Sequence, residues 1–270
     1  MGSAQQKVIN LNDEQLNQIK SILLEILGEI DRICKKYELK YFLAGGTLLG
    51  AIRHEGFIPW DDDIDISMPR KDYEKFLKIC AEDLDESLLL DYFGTNGKAW
   101  QPFARVRKKG TVYETFTLNY LEDVPKGICV DIFPVDDIKW LKLGRSIQGF
   151  VVKTLRVSIL VKQLESANSL KRRILKILFA PFSVGFLFKA VDWVMCFWNN
   201  SGSPYHCCFT GMHTVKQETN LKSSYYPLEL HLFEGKHYPI PRKPHDILSK
   251  LYGDYMTLPP PEKRIGHPVV

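Results

Sequence analysis

Two adjacent glycines followed by a dense run of carboxylates most constrain how this chain folds. Gly45 and Gly46 end a short apolar stretch, and the carboxylates lie between Asp61 and Asp65. Crowded carboxylates repel one another and lose hydration when they are buried. A fold keeps such a cluster where a cation offsets the repulsion, and a hard divalent ion with oxygen ligands suits it best. The sequence therefore indicates metal-assisted chemistry on a phosphate.

The residues after this run alternate in polarity, which predicts a β-strand. Three polar side chains alternate there with three apolar ones: Asp63, Ile64, Asp65, Ile66, Ser67 and Met68. Asp63 and Asp65 should therefore project on the same face of the strand and share one or two metal ions. The later segment Cys129–Phe133, which Pro134 closes, predicts a second strand whose carboxylate, Asp131, completes the ligand set. The expected ion is Mg²⁺ or Mn²⁺.

Periodicity predicts the elements around these two strands. The other predicted elements are a helix over Leu16–Tyr37, a strand over Leu39–Ala44, helices over Thr47–Arg53 and Asp72–Cys80, strands over Leu88–Phe93, Phe103–Arg107 and Thr111–Phe116, a hairpin over Leu232–Ile240 and a helix over His245–Tyr252. The order of strand, glycine pair, helix, Asp-x-Asp strand and later Asp strand resembles the nucleotidyltransferase fold. We therefore predict an α/β (α+β) fold, a mixed sheet flanked by helices.

Residues 141–198 form a predicted helical insertion of unusual charge. Between positions 141 and 190 the chain has ten Lys or Arg and one acid, Glu165, which gives a net charge of +9. Since the whole chain carries +4, the remainder carries −5. Apolar runs interrupt the basic residues, and a basic amphipathic region is typical of contact with a membrane surface. The alternative is a helical subdomain whose basic face is merely solvated.

These patterns divide the chain into three predicted parts. They are a nucleotidyltransferase-like catalytic core (1–140), the basic amphipathic helical insertion (141–205) and a C-terminal segment that packs back on the core (206–270). No nucleic-acid-binding motif accompanies the basic residues, so we expect no nucleic acid partner. The group His206, Cys207, Cys208 and His213 lacks the usual spacing of a zinc site, and buried thiols are the preferred interpretation.

The sequence also predicts a compartment. None of the six cysteines forms a Cys-x-x-Cys pair, and the first residues lack the apolar core of a signal peptide. The longest uncharged apolar run, Ile177–Phe188, is shorter than the roughly 20 residues that span a membrane. We therefore expect a cytoplasmic protein without a membrane-spanning segment, held at the inner face of the cytoplasmic membrane.

Three blocks of the sequence resemble the LicD family. They are Ala44–Asp65, Gly127–Asp136 and Tyr252–Pro260. The resemblance extends over about Tyr37–Asp137 and Tyr225–His267 and is weak across the insertion. It implies the residues already singled out: Asp63, Asp65 and Asp131 as metal ligands, and Gly45, Gly46 and Thr47 around the phosphate of the donor.

The resemblance implies transfer of phosphocholine from CDP-choline to a sugar of a cell-surface glycan precursor, with release of CMP. The acceptor would be a teichoic acid or lipopolysaccharide precursor, held on a lipid. Fukutin-like relatives use CDP-ribitol instead, and the three blocks do not separate these donors. A true nucleotidyltransferase and a catalytically inactive nucleotide-binding module remain alternatives.

Side chains that would hold the donor can also be named. Three arginines could stabilise charge on the transferred group: Arg53, Arg105 and Arg107. Quaternary ammonium groups are held over aromatic faces, and Trp60, next to the acidic run, is the preferred residue for this role. The other aromatic candidates are Trp100, Tyr252 and Tyr255.

Overall fold

The computed structural model of the protein describes residues 11–96, 101–113, 125–139, 141–164 and 169–266. Its strands are β1 (Phe42–Leu43), β2 (Ile64–Pro69), β3 (Leu88–Asp91), β4 (Ala104–Lys108), β5 (Cys129–Asp137), β6 (Tyr205–Cys207), β7 (Thr219–Leu221), β8 (Glu229–Phe233) and β9 (Lys236–Ile240). Its helices are α1 (Asp13–Lys36), α2 (Gly45–His54), α3 (Arg70–Asp83), α4 (Phe93–Asn96), α5 (Lys142–Gln163), α6 (Leu170–Leu178), α7 (Val184–Cys196), α8 (Val215–Glu218), α9 (Lys222–Tyr225) and α10 (Pro244–Tyr252).

A mixed sheet in the order β1-β2-β5-β4-β3 forms the centre of the molecule. β2 and β5 run parallel, whereas the other neighbours in this order are antiparallel. The far end of β5 pairs with β6, which in turn pairs with β7. β8 and β9 form a separate hairpin around a turn at Glu234 and Gly235. The predicted mixed sheet flanked by helices is therefore confirmed.

Helix α1 covers one side of this sheet because its sequence combines a strong start with one apolar stripe. The Asn12 side chain accepts a hydrogen bond from the Gln15 backbone N–H (2.8 Å), and the Gln15 side chain accepts one from Asn12 (3.0 Å). This capping box satisfies two N–H groups that would otherwise lack partners. Ile26, Ile30 and Ile33 are fully buried in the main core. Each such side chain contributes about 1.5–3 kcal/mol relative to an exposed one.

Several predicted strand boundaries differ from the structure, and two of the differences have a local cause. β5 does not end at Pro134 but continues to Asp137. The pairing of β4 ends opposite Ile132, so Pro134 lies where β5 has a neighbour on one side only, a position that a proline tolerates. Residues 111–113 are not a strand, and the rest of the predicted segment Thr111–Phe116 lies outside the described residues.

The side chain of Thr111 explains why the chain turns there. Its hydroxyl donates a hydrogen bond to the Lys108 carbonyl (2.8 Å) and accepts one from the Ile128 N–H (3.0 Å). These local bonds offer the backbone an alternative to strand pairing.

The insertion is helical, as predicted, and part of it packs on the end of the sheet. α5 and α7 share a second apolar core with Ile138 and Cys207. Arg70 at the start of α3 joins the two regions, because its guanidinium donates to Asp136 of β5 (2.8 and 2.6 Å) and to Asp192 of α7 (2.8 Å). None of the residues of α6 is buried.

Candidate active site

The register of the central strands brings the predicted carboxylates together. Asp65 of β2 lies opposite Asp131 of β5, and Asp131 lies opposite Arg105 of β4. Residues in register on adjacent strands project from the same face of a sheet, with strands about 4.8 Å apart. The two carboxylates, which are distant in sequence, therefore stand side by side on one face.

Arg105 holds Asp131 in place. Its Nε donates to Oδ1 (2.8 Å) and its Nη2 to Oδ2 (3.4 Å) of the same carboxylate. The guanidinium also lies over the ring of Phe103, at 4.4 Å from the ring centroid. A two-point contact of this kind fixes the orientation of a carboxylate as well as its charge. Arg105 is thus a neighbour of the acidic cluster, as a donor-binding residue would need to be.

The three carboxylates just before β2 form a tight group of their own. One oxygen from each of Asp61, Asp62 and Asp63 lies within 4.8 Å of the other two, the spacing of a possible metal site. Asp62 is buried and accepts a hydrogen bond from the Tyr113 hydroxyl. Sequence reasoning left Asp61 and Asp62 without a firm role, and this grouping places Asp61 beside the predicted ligands.

The crowding of the carboxylates changes the pKa of Asp65. Its pKa is raised well above the usual range, first by desolvation and then by the negative charges of Asp63, Asp131 and Asp61. The nearby Arg105 charge acts in the opposite direction. Carboxylates that resist ionisation together are stabilised when a cation is shared among them.

The carboxylates crowd Gly45 and Gly46, and the conformation of Gly45 specifically favours glycine. A Cβ atom on Gly45 would lie 2.8 Å from Asp65 Oδ2, and one on Gly46 would lie 3.1 Å from Asp61 Oδ2. Gly45 also has a φ of +53°, which L side chains rarely adopt. The two glycines begin α2, whose N-cap residue, Ala44, makes no side-chain capping bond. Backbone N–H groups at such a helix start can bind a phosphate.

Thr47 connects this helix to the acidic strand. Its hydroxyl accepts a hydrogen bond from the backbone N–H of Asp65 (2.8 Å), and the side chain is buried. The hydroxyl therefore fixes α2 against β2. The resemblance implied that Thr47 lies at the donor phosphate. Thr47 is in the first turn of α2, and its contact with a donor stays a prediction.

The other predicted donor-binding side chains lie at different distances from the cluster. Arg53, near the end of α2, donates to the Tyr255 carbonyl (2.5 Å) and to His54 Nε2 (3.0 Å). The guanidinium of Arg264 lies over the ring of Trp60, at 5.6 Å from its centroid. A protein cation thus already contacts the ring that was the preferred site for a choline group. Trp100 lies outside the described residues.

Arg107 is withdrawn from the open face of the sheet. It donates to Asp91 Oδ2 (2.7 Å) and to the Gly127 carbonyl (2.8 Å), and its side chain is 2% exposed. Burial of an arginine with its acid is typical of a structural ion pair. The geometry favours support of β4 over direct contact with a donor.

A small cavity adjoins the acidic cluster, and its walls include residues that sequence reasoning missed. It lies beside β2 and β5, has a volume of about 100 Å³, and its lining includes Gly45, Asp65, His213, Glu218 and Tyr252. Glu218 gave no local signal in the sequence, because a single acid in a polar segment usually marks a solvated surface. Its position became visible only once β7 and α8 were placed against the sheet.

The His and Cys side chains near residue 206 turn to different neighbours. His206 Nδ1 lies 3.0 Å from Asp137 Oδ1, whereas the ring of His213 packs edge-on against Tyr252 at 5.1 Å between centroids. Cys207 and Cys208 are buried, and burial raises the pKa of both thiols. Their surroundings match the buried thiols that the sequence favoured.

The donor set of the acidic cluster suits a hard divalent cation. All of its candidate ligands are carboxylate oxygens, drawn from the run at Asp61–Asp65 and from Asp131. Mg²⁺ and Mn²⁺ prefer such ligands, and the mutual repulsion of these acids is the kind that a bound cation relieves. The chemistry of the site therefore fits the predicted metal.

Comparisons with known proteins agree with this arrangement. Residues 38–147 match the LicD/FKTN/FKRP nucleotidyltransferase domain. The chain is 30% identical to the lipopolysaccharide cholinephosphotransferase LicD of Haemophilus influenzae, over 97% of each protein. It is also 36% identical to the uncharacterized protein RP689 of Rickettsia prowazekii, over 24% of this chain and 26% of that protein. The 30% identity to the Haemophilus influenzae protein, along nearly the whole length of both proteins, shows that the chain belongs to the LicD family.

Proposed function

We propose that this protein transfers phosphocholine from CDP-choline to a sugar hydroxyl of a cell-surface glycan precursor and releases CMP. The observation that carries the proposal is the register that sets Asp65 beside Asp131, next to the two glycines that begin α2. The name of the Haemophilus influenzae relative supports choline phosphate as the transferred group and lipopolysaccharide as the class of acceptor. A teichoic acid precursor would offer the same kind of hydroxyl.

In the proposed reaction, the acceptor oxygen forms a bond to the phosphorus that carries choline, and the bond from that phosphorus to CMP breaks. The hydroxyl proton passes to a carboxylate of the cluster, with Asp131 as the candidate. Mg²⁺ or Mn²⁺, held by Asp63, Asp65 and Asp131, would neutralise the charge of the diphosphate. Arg105 keeps Asp131 oriented, and the N–H groups at the start of α2 would bind a donor phosphate.

The test is CMP release by purified protein. The protein is incubated with CDP-choline, Mg²⁺ and an extract of lipid-linked glycans, and CMP is separated and quantified. Asp63→Asn should lower the rate by at least about a thousandfold, because charge neutralisation supplies most of the catalysis. Its circular dichroism spectrum and melting temperature should stay unchanged. Glu86→Gln, which alters an exposed acid on the loop before β3, is the matched control and should keep the full rate.

Each alternative predicts a different result in the same assay. Faster CMP release from CDP-ribitol than from CDP-choline would assign the other donor. Pyrophosphate release from CTP would indicate a nucleotidyltransferase. Binding of CDP-choline without CMP release in the presence of acceptor would indicate an inactive binding module. Full activity of Asp63→Asn would remove the metal-site assignment.

We further propose that the protein works at the inner face of the cytoplasmic membrane, where a lipid-linked acceptor would be found. Helix α6 has four exposed apolar side chains at helical spacing: Leu170, Ile174, Ile177 and Leu178. Four basic residues share the helix: Lys171, Arg172, Arg173 and Lys176. A helix of this composition suits an anionic lipid surface, with apolar side chains among the acyl chains and basic ones at the headgroups.

Two exposed rings extend this surface beyond α6. Phe182 and Phe186 stack on each other, with ring centroids 5.1 Å apart, and both stay exposed. Among the described residues, no helix combines the length and the apolar character needed to cross a bilayer.

A further inference from the structure

The cavity beside the acidic cluster has the size of a small headgroup. Its volume of about 100 Å³ is below that of an engineered cavity of about 150 Å³ that binds benzene. Its lining includes Gly45 and Asp65, where the donor phosphate is proposed to lie, together with Glu218. A group attached directly to the transferred phosphate would therefore extend into this space, whereas a lipid-linked glycan would not fit.

The walls of the cavity are mainly aromatic and apolar. The rings of His213 and Tyr252 meet at 87°, and those of Phe42 and Tyr225 lie 5.2 Å apart. All four residues line the cavity. Methylated ammonium groups bind in such surroundings, because their methyl surface contacts the rings and their charge is attracted by the ring quadrupole.

The charge of the cavity favours a cation. Two acids, Asp65 and Glu218, line it, and no lysine or arginine is among the described residues of its wall. Burial raises the pKa of Glu218 to about 7, although the backbone N–H of His213 partly offsets this effect. A cation that enters beside Glu218 would stabilise the carboxylate form, so the cavity gains most from a ligand that is both apolar and positively charged.

Tyr252 lines the same cavity as the two acids. Its pKa is raised by burial and then by the charges of Asp65 and Glu218. One aromatic side chain therefore shares the cavity with both acids and feels the charge of each. Phosphocholine has this pattern as well, a phosphate and a quaternary ammonium separated by two carbons.

We propose that Glu218, Tyr252 and His213 form the subsite for the cationic headgroup of the donor, and that Glu218 selects choline over neutral polyols. This assignment rests on the proposed function and adds the residues that set the choice of donor. It also transfers the headgroup role from Trp60, whose ring is contacted by Arg264, to the residues that line the cavity.

The test compares the binding of three ligands by titration calorimetry in the presence of Mg²⁺. The ligands are CDP-choline, CDP-ribitol and CMP, which lacks a headgroup. Glu218→Gln should bind CDP-choline about tenfold more weakly or worse, because the ion pair with the ammonium is lost. Its affinity for CMP should be unchanged, and its preference for CDP-choline over CDP-ribitol should shrink by the same factor. Glu229→Gln, an exposed acid on β8, is the matched control and should behave as the wild type.

Tyr252→Leu provides a second and independent readout. It removes the ring but keeps an apolar side chain, so we expect weaker binding of CDP-choline and unchanged binding of CMP. Wild-type affinity of both Glu218→Gln and Tyr252→Leu for CDP-choline would overturn the subsite and leave the proposed function standing. Failure of the wild-type protein itself to bind CDP-choline would overturn the proposed donor, and the subsite with it.

Discussion

The carboxylate-bearing sheet and helix α6 depart in opposite ways from the usual distribution of side chains. In the sheet, charged groups are buried: Arg107 and Asp91 are 2% and 1% exposed. In α6, apolar groups are exposed, and Ile177 and Leu170 keep about three quarters of their surface in solvent. Buried charge is stable only with a partner, and exposed apolar surface often marks a binding site. The sheet thus holds buried charges that are paired within the chain, whereas α6 holds apolar side chains that stay exposed.

The two regions also differ in the contacts that their side chains make within the chain. Arg70, Arg105 and Arg107 each donate to a carboxylate on a neighbouring element. The charges of Asp63, Asp131 and Asp61 in turn raise the pKa of Asp65. The sheet therefore combines arginine–carboxylate ion pairs with a crowded group of acids, whereas α6 exposes its apolar side chains to solvent.

The largest expected effect tests whether Arg107 belongs to the structural pairs. Arg107→Met should lower the stability of the protein by about 3–5 kcal/mol, because Asp91 would remain buried without its partner. The melting temperature should fall by about 10 °C. Differential scanning calorimetry measures this change, and CMP release at 20 °C measures the remaining activity per folded molecule.

The matched control for this experiment is an exposed ion pair. Lys35→Met breaks the contact of Lys35 with Asp31, in which the lysine is 70% exposed. Pairs of this kind contribute about 0–1 kcal/mol, so the melting temperature should hardly change. If Arg107→Met kept its stability and lost its activity, Arg107 would act on the donor, as the sequence first suggested, and the buried pair would not be structural.

Arg107 illustrates what the sequence could and could not determine. The alternation around Asp65, the glycine pair and the helical spacing of α1 are local patterns, and the structure agrees with them. Arg105 and Arg107 look alike in sequence, since both stand on the same strand and face the same way. The register places Arg105 opposite both Asp91 and Asp131. Only the side-chain contacts separate the two arginines, because Arg105 donates to Asp131 and Arg107 reaches diagonally to Asp91.

The same limit explains the residues around the donor cavity. Trp60 follows directly before the acidic run, so sequence proximity favoured it as the choline site. Tyr252 was among the other aromatic candidates, whereas Glu218 was not predicted. Both lie more than 150 positions away from that run and reach it only through the packing of α8 and α10 against α2 and α5. Long-range packing of this kind leaves no periodic signal in a single sequence. The continuation of β5 through Pro134 was missed for a related reason. Proline has no backbone N–H, so it ends a strand only where a neighbouring strand needs a donor at that position.

A smaller effect concerns Glu218 on α8, which packs against α5 and α10. Glu218 has a folded-state pKa of about 7, above its ordinary value of 4.5, although Arg156 of α5 and Lys250 of α10 oppose the shift. The folded protein therefore holds a proton more tightly than the unfolded chain. The associated stability is fully present below pH 4.5 and is lost as the pH rises through 7.

Glu218→Gln should consequently stabilise the protein at pH 8 by about 2 kcal/mol and leave it nearly unchanged at pH 5. Denaturant titrations at the two pH values measure the difference. The direction is opposite to the expected loss of CDP-choline binding, so the same substitution would raise stability and lower affinity. Equal stability of the variant and the wild type at pH 8 would show that burial of the ionised Glu218 carboxylate does not destabilise the folded protein. It would also weaken the contrast between the structural ion pairs and the acids that line the cavity.

The smallest effect tests the apolar side of α6. Leu178 and Leu230 are the same residue type and are similarly exposed, at 62% and 68%, but Leu178 lies on the basic helix and Leu230 on the β8–β9 hairpin. If α6 rests on a membrane, Leu178→Ser should weaken binding to vesicles of anionic phospholipid by about five- to tenfold, the loss of one buried leucine. Leu230→Ser should have no such effect.

Co-sedimentation with vesicles at increasing salt measures the binding of both variants, and binding should weaken as salt screens the basic residues. CMP release with a water-soluble sugar acceptor should be the same for both variants, since neither touches the acidic cluster. Equal vesicle binding by the two variants would mean that the exposed leucines of α6 serve another contact. The proposed membrane contact of α6 would then be wrong, whereas the proposed site on the sheet would be unaffected.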